Sequence, residues 1–139
     1  MYLSTHLNFD GSCEEALNFY AKTFDGKVEF KMTWGDSPMC DQVGAEGKDK
    51  IMHMSVKVGT STLMGADAPP GKGGQKAQGM VMSISDSDLE KATQVFKTLS
   101  EGGSVEMPFM ETFWAKGFGM CTDRFGIPWM VNCEKPMPA

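Results

Sequence analysis

The chain of 139 residues holds two histidines, His6 and His53, and four cysteines, Cys13, Cys40, Cys121 and Cys133. Imidazole is the side chain best suited to moving protons near neutral pH. His53 lies in the run Ile51 to Val58, in which Met52, Met54, Val56 and Val58 alternate with His53, Ser55 and Lys57. It reads either as a general base or hydrogen-bond donor to a ligand, or as a partly exposed strand residue. His6 is open in the same way. Glu111 and Trp114 stand just before a Gly-rich strand. Trp114 can stack on a planar ligand or serve packing alone. Alternation sets Glu111 on the opposite face, toward solvent. His53 and Glu111 are the catalytic candidates.

No Ser-His-Asp or Cys-His arrangement is evident, and two histidines leave little choice. No two cysteines form CxxC, and none stands near a histidine at zinc-finger spacing. They read as reduced thiols used in packing or at the surface. Cys121 has no base nearby in sequence to activate it as a nucleophile. Trp34 and Trp129 read as core or dimer-interface residues.

Composition removes whole classes of function. A net charge of −5 argues against nucleic acid as partner, because phosphate binding needs a concentrated Lys/Arg patch. No apolar run is long enough to span a bilayer. The opening MYLSTHLNFDG lacks the basic region and apolar run of a signal peptide, so the expected compartment is the cytosol. Thirteen methionines supply flexible thioethers, which fill core gaps and line adaptable binding surfaces.

The elements that position these residues come in one order, twice. A strand from Tyr2 to Phe9 meets the turn Asp10-Gly11. Ser12 and Glu15 have capping-box spacing, and Ala16, Leu17, Tyr20 and Phe24 make one apolar helix face. Asp25-Gly26 stops the helix, with Gly26 as the left-handed cap. Strands at Lys27 to Trp34, Ile51 to Val58 and Ser61 to Gly65 follow, with a polar loop from Gly35 to Lys50. Residues 66–78 read as a linker; their Gly-Lys-Gly-Gly lacks phosphate-loop spacing. Then the pattern restarts: a strand from Gly79 to Ser85, then Ser87 and Glu90 at capping-box spacing. A helix with Leu89, Ala92, Phe96 and Leu99 on one face stops at Gly102-Gly103. Strands open at Ser104, run from Lys116 to Thr122, and run from Ile127 to Cys133. The reading is a first βαβββ module over 1–65, a linker over 66–78, a second module over 79–133 and a tail over 134–139. A repeat this long is a duplicated module rather than a solenoid.

This pattern resembles the vicinal oxygen chelate superfamily, which includes glyoxalase I, extradiol dioxygenases and fosfomycin-resistance proteins, and in particular its PhnB-like branch. Three blocks carry the resemblance: Asn8 to Tyr20, Leu63 to Asp67, and Glu111 to Asn132 with its Thr122-Asp123-Arg124-Phe125-Gly126-Ile127-Pro128-Trp129 run. The resemblance implies an α+β fold of two βαβββ modules, each curled into a half-barrel, around a cavity. It also implies four strand positions that hold a divalent ion in metal-dependent members.

Those positions fall here near Thr5 or His6, at Met64, at Gly79 or Met80, and at Met130. Counting back from Phe19-Tyr20 gives Thr5, whereas alternation with Leu7 and Phe9 turns His6 and Asn8 inward. One histidine cannot build a three- or four-ligand site. The expectation is therefore no metal and no cofactor, with a pocket lined by Thr5, His6, Met64, Met80, Trp114 and Met130. Branch members are often labelled ubiquinone-pathway methyltransferases, but no Gly-rich strand-to-helix loop is present to hold a nucleotide-like cofactor. The expected function is binding of a small apolar or aromatic molecule. The alternative is a lyase, isomerase or dioxygenase acting on a small oxygenated substrate. A homodimer is expected, because half-barrel edges need covering.

Overall fold

Apolar residues at helical spacing form two helices. The computed structural model describes residues 1–69 and 77–136. Helix α1, Cys13–Thr23, buries Cys13, Ala16, Leu17, Tyr20 and Ala21. Helix α2, Leu89–Ser100, buries Ala92, Val95, Phe96 and Leu99. Leu89, expected on the buried face, is exposed in the first turn.

The chain divides into two units, Met1–Gln75 and Lys76–Ala139. The first contains β1 (Thr5–Phe9), α1, β2 (Lys27–Thr33), β3 (Ile51–Val58) and β4 (Ser61–Asp67). The second contains β5 (Met82–Ser85), α2, β6 (Ser104–Met110), β7 (Ala115–Thr122) and β8 (Pro128–Glu134). Each forms a four-stranded sheet, in the orders β1-β4-β3-β2 and β5-β8-β7-β6. The outer pairs β1–β4 and β5–β8 are parallel and the remaining pairs antiparallel. The α+β class and the doubled βαβββ order are as the sequence predicts.

Several boundaries differ from the sequence reading. β1 starts at Thr5 rather than Tyr2, and β5 at Met82 rather than Gly79. β4 continues through Ala66 and Asp67, which had read as linker. The rest of the proposed linker falls partly on 70–76, outside the described residues, as does the Gly-Lys-Gly-Gly run. Of the tail, 137–139 lie outside them too. The Gly35 to Lys50 loop is not featureless: it contains 3₁₀ turns at Cys40–Gln42 and Ala45–Gly47 and buries Ser37 and Val43.

Neither capping box forms as the spacing suggests. Ser12 precedes α1 but makes no side-chain cap. Asp67, at the end of β4, takes over. Its Oδ1 accepts from the N–H groups of Gly11 (2.8 Å) and Cys13 (3.0 Å), and its Oδ2 accepts from Ile51 N–H (2.9 Å). The Asp67 carbonyl accepts from Trp34 Nε1 at 3.0 Å. A buried carboxylate thus ties helix start, strand β3 and an indole together; charge-assisted bonds of this kind are the strong ones. In the second unit Asp88, not Ser87, is the cap, accepting from Lys91 N–H at 3.2 Å.

The helix stops also differ in detail. Asp25, not Gly26, adopts the left-handed conformation (φ 53°), and Gly102 does so after α2 (φ 77°). The following glycine serves close approach in both units. A Cβ on Gly26 would meet the Lys57 carbonyl at 2.6 Å, and one on Gly103 would run into the Thr122 carbonyl. Asp25-Gly26 and Gly102-Gly103 are therefore the same joint, with a strained aspartate in the first copy.

Candidate functional site

Each sheet has a face against its helix and an open face. In the first unit a Cβ on Gly65 would touch Cys13 Sγ and Leu17 Cδ1 of α1. Gly65 therefore marks the helix side, together with its register partners Leu7 and Met54. Strand alternation turns His6, Asn8, Met64, Ala66, His53 and Ser55 to the open face. Thr5 pairs with Leu63 and sits on the helix side; His6 pairs with Met64. Thr5 and His6, the two options for the first position, thus fall on opposite faces.

The open face of the first unit brings the two histidines together. Their ring centroids are 6.2 Å apart and the planes differ by 14°. Phe30, from β2, stands on the far side of His53 at 5.7 Å, tilted by 45°. Strand order explains the meeting: β1 and β3 flank β4, and both imidazoles lean over it. Alternation in the sequence places each histidine on a face, but only the crossover that brings β4 between them makes them neighbours. Phe30 was not among the residues singled out from sequence.

In the second unit Gly117 and Gly119 face α2. A Cβ on Gly119 would meet Phe96 at 2.8 Å, and one on Gly117 would run into the Phe109 ring. The Lys116-Gly117-Phe118-Gly119 run is thereby explained: its glycines make room for the Phe96–Phe109 stack, whose centroids are 5.5 Å apart. The open face carries Phe118, Met120, Met130, Asn132, Ser83 and Ser85. Met130 pairs with Ser83. Met80 precedes β5 and is exposed, so Ser83 rather than Gly79 or Met80 stands at the fifth-strand place beside Met130.

Trp114 lies between β6 and β7, half-exposed, edge-on to Phe113 (4.8 Å) and Phe118 (5.4 Å). Glu111 is exposed and pairs with Lys135 at 3.0 Å, an arrangement of solvated surface charge. Asn132 Oδ1 is buried and has no hydrogen-bond partner among the described residues. The turn before β8 is held by Asp123. Its Oδ1 accepts from the N–H groups of Phe125 (2.9 Å) and Ile127 (3.0 Å), and its Oδ2 accepts from Trp129 Nε1 (2.8 Å). That network fixes the register that delivers Met130 to the open face.

Cys13 and Cys121 are not set up for nucleophilic work. Burial, with Asp67 and Glu14 adding to it, pushes the Cys13 thiol up to about 12. Burial also raises Cys121; a hydrogen bond with Ser100 opposes the shift, and Glu106 and Asp123 add to it. Both remain protonated near neutral pH, the unreactive form.

Two βαβββ units with these strand orders define the glyoxalase fold, and the chain belongs to the Glyoxalase/Bleomycin resistance protein/Dioxygenase superfamily, which matches residues 5–131. Among individual proteins, it is similar to Protein YjdN of Escherichia coli (strain K12), 34% identical over 146 residues and 99% of each chain. The crystal structure of protein PA1353 from Pseudomonas aeruginosa is 41% identical, with a TM-score of 0.88 over 98% of this chain and 99% of that one. A PhnB protein from Bacillus cereus, described as a putative 3-demethylubiquinone-9 3-methyltransferase, shares the fold at 22% identity. Its TM-score is 0.80, over 95% of this chain and 98% of that one.

The four positions that the resemblance implies fall on β1 and β4 in the first unit and on β5 and β8 in the second. Here they hold His6 with Met64 and Ser83 with Met130. Neither the imidazole–thioether pair of the first unit nor the hydroxyl–thioether pair of the second fits a hard or borderline divalent ion, which takes carboxylate, imidazole or water. Among the described residues no group of three or more His, Cys, Asp or Glu could hold a metal.

Proposed function

We propose that this glyoxalase-fold protein binds a small apolar or aromatic molecule on the open face of a sheet, with no divalent ion at the four superfamily positions. One observation carries the reading: Met64 and Met130 occupy corresponding register places in the two units, beside His6 and Ser83. A flexible, polarizable thioether at each place suits an apolar guest. Met120, Phe118 and the half-exposed Trp114 extend the same character in the second unit. The direct test is metal content after dialysis against Ni²⁺, Mn²⁺, Fe²⁺ and Zn²⁺, together with thermal shifts across an aromatic ligand panel. The reading expects no stoichiometric metal and a raised melting temperature with some panel members. A stoichiometric ion lost in His6→Ala overturns it.

The partner is proposed to be a second copy of the chain. Edge strands β2 and β6 expose Val28, Phe30, Val105, Met107 and Met110, and edges of this kind need covering. Light scattering at micromolar concentration tests this, and a monomeric mass contradicts it. Four unpaired thiols support a reducing, cytosolic setting. No helix among the described residues is long and apolar enough to cross a membrane.

The meeting of His6 and His53 supports a second reading, an enzyme of the superfamily in which His53 moves a proton. Loss of turnover in His53→Ala favours it. Glu111, exposed and engaged with Lys135, gains no support as a catalytic group.

A further inference from the structure

We propose that the space between His6 and His53 is a stacking clamp for one planar aromatic or heteroaromatic ring. The inference rests on the binding function proposed above and names the shape of the guest. These are the chain's only two histidines, 47 positions apart, and the fold sets their rings nearly parallel at 6.2 Å. A flat ring sandwiched between two others needs about 7 Å, two contact distances of roughly 3.5 Å. The centroid distance is the upper limit of the face-to-face gap, so the clamp opens by about 1 Å or more to admit one.

The fold allows that movement. β1 and β3 are separated by β4, so their backbones stand about 9.6 Å apart. The imidazoles already lean inward from that spacing and have room to lean back. His6 is exposed and forms the outer wall that moves, while Phe30 backs His53 on the other side. The floor is β4, where Met64 lies beside His6 and Ser55, and where Ala66 keeps the side chain short. A puckered saturated ring is thicker than a flat one and does not fit the same gap. Imidazole nitrogens at the rim add hydrogen bonds to polar groups on the guest's edge.

The two histidines also make the test clean, because the protein has two sets of imidazole C–H signals in proton NMR. The probes are 2-naphthol and its saturated counterpart decahydro-2-naphthol. The clamp expects 2-naphthol to bind roughly 10-fold more tightly, since stacking acts on both of its faces. It also expects both imidazole signals to move upfield with 2-naphthol alone. His6→Leu and His53→Leu, each checked for a wild-type melting temperature, lose the preference. Equal binding of both probes with unmoved histidine signals overturns the clamp and leaves the apolar-binding function standing. A shift of one histidine only also overturns the clamp. Binding of neither probe overturns both.

Discussion

Asp67 caps a helix to which it does not belong: its Oδ1 accepts the backbone N–H of Cys13, 54 positions earlier, at 3.0 Å. The same carboxylate holds Gly11 and Ile51, so the strand that carries Met64 is locked to the helix and to β3. Asp67→Ala is expected to strand three N–H groups and cost at least about 3 kcal/mol. Thermal denaturation reads that as a drop of roughly 10 °C. Ser12→Ala, which a capping box would make costly, is expected to cost less than about 0.5 kcal/mol.

The two helix stops differ by one residue type, which makes a second test. Asp25 carries a positive φ where the second unit has Gly102. Asp25→Gly relieves left-handed strain and removes a negative charge from a helix C-terminus. It is expected to stabilise by up to about 1 kcal/mol. Gly26→Ala is expected to destabilise by about 2 kcal/mol or more, because its Cβ meets the Lys57 carbonyl. Urea midpoints of the two variants should move in opposite directions.

Buried Asn132 Oδ1, without a partner among the described residues, predicts an unusual gain from a polar-to-apolar change. Asn132→Leu, similar in size, is expected to raise stability by about 1 kcal/mol. A loss of stability instead shows that the amide is satisfied in solution by ordered water.

Cys13 gives the pH dependence. Its thiol is raised from 9.0 to about 12 in the folded protein, mainly by burial. The unfolded thiol ionises first, so above pH 9 the unfolded state binds fewer protons and stability falls. The slope is about 1.4 kcal/mol per pH unit until the folded thiol also ionises. Below pH 9 this contribution is fully present. Denaturation of wild type and Cys13→Ala at pH 8 and pH 10.5 should show the smaller loss in the variant. Under native conditions Cys40, the one cysteine not buried, should react first with a thiol reagent.

Much of the fold was legible because apolar helix faces, the stops at Asp25-Gly26 and Gly102-Gly103, and strand periodicity recur in both halves. Alternation correctly turned His6 away from the face of Leu7 and Phe9. What stayed hidden was long-range. Asp67 read as linker, because a carboxylate that caps a helix across the sheet has no local signature. His6 and His53 read as separate strand histidines, because their meeting depends on β4 lying between β1 and β3. Met80 reads as a strand position from its apolar neighbours, but β5 starts at Met82, three residues later than the pattern suggests.

The central claim is that aromatic binding does not use a divalent ion at the four superfamily positions, which here hold His6, Met64, Ser83 and Met130. Calorimetric titration of 2-naphthol into chelator-treated protein, with and without saturating Mn²⁺, tests it most directly. The expected result is the same affinity in both titrations, to within about 2-fold. Binding that appears only with Mn²⁺, or tightens by about 10-fold or more in its presence, contradicts the claim.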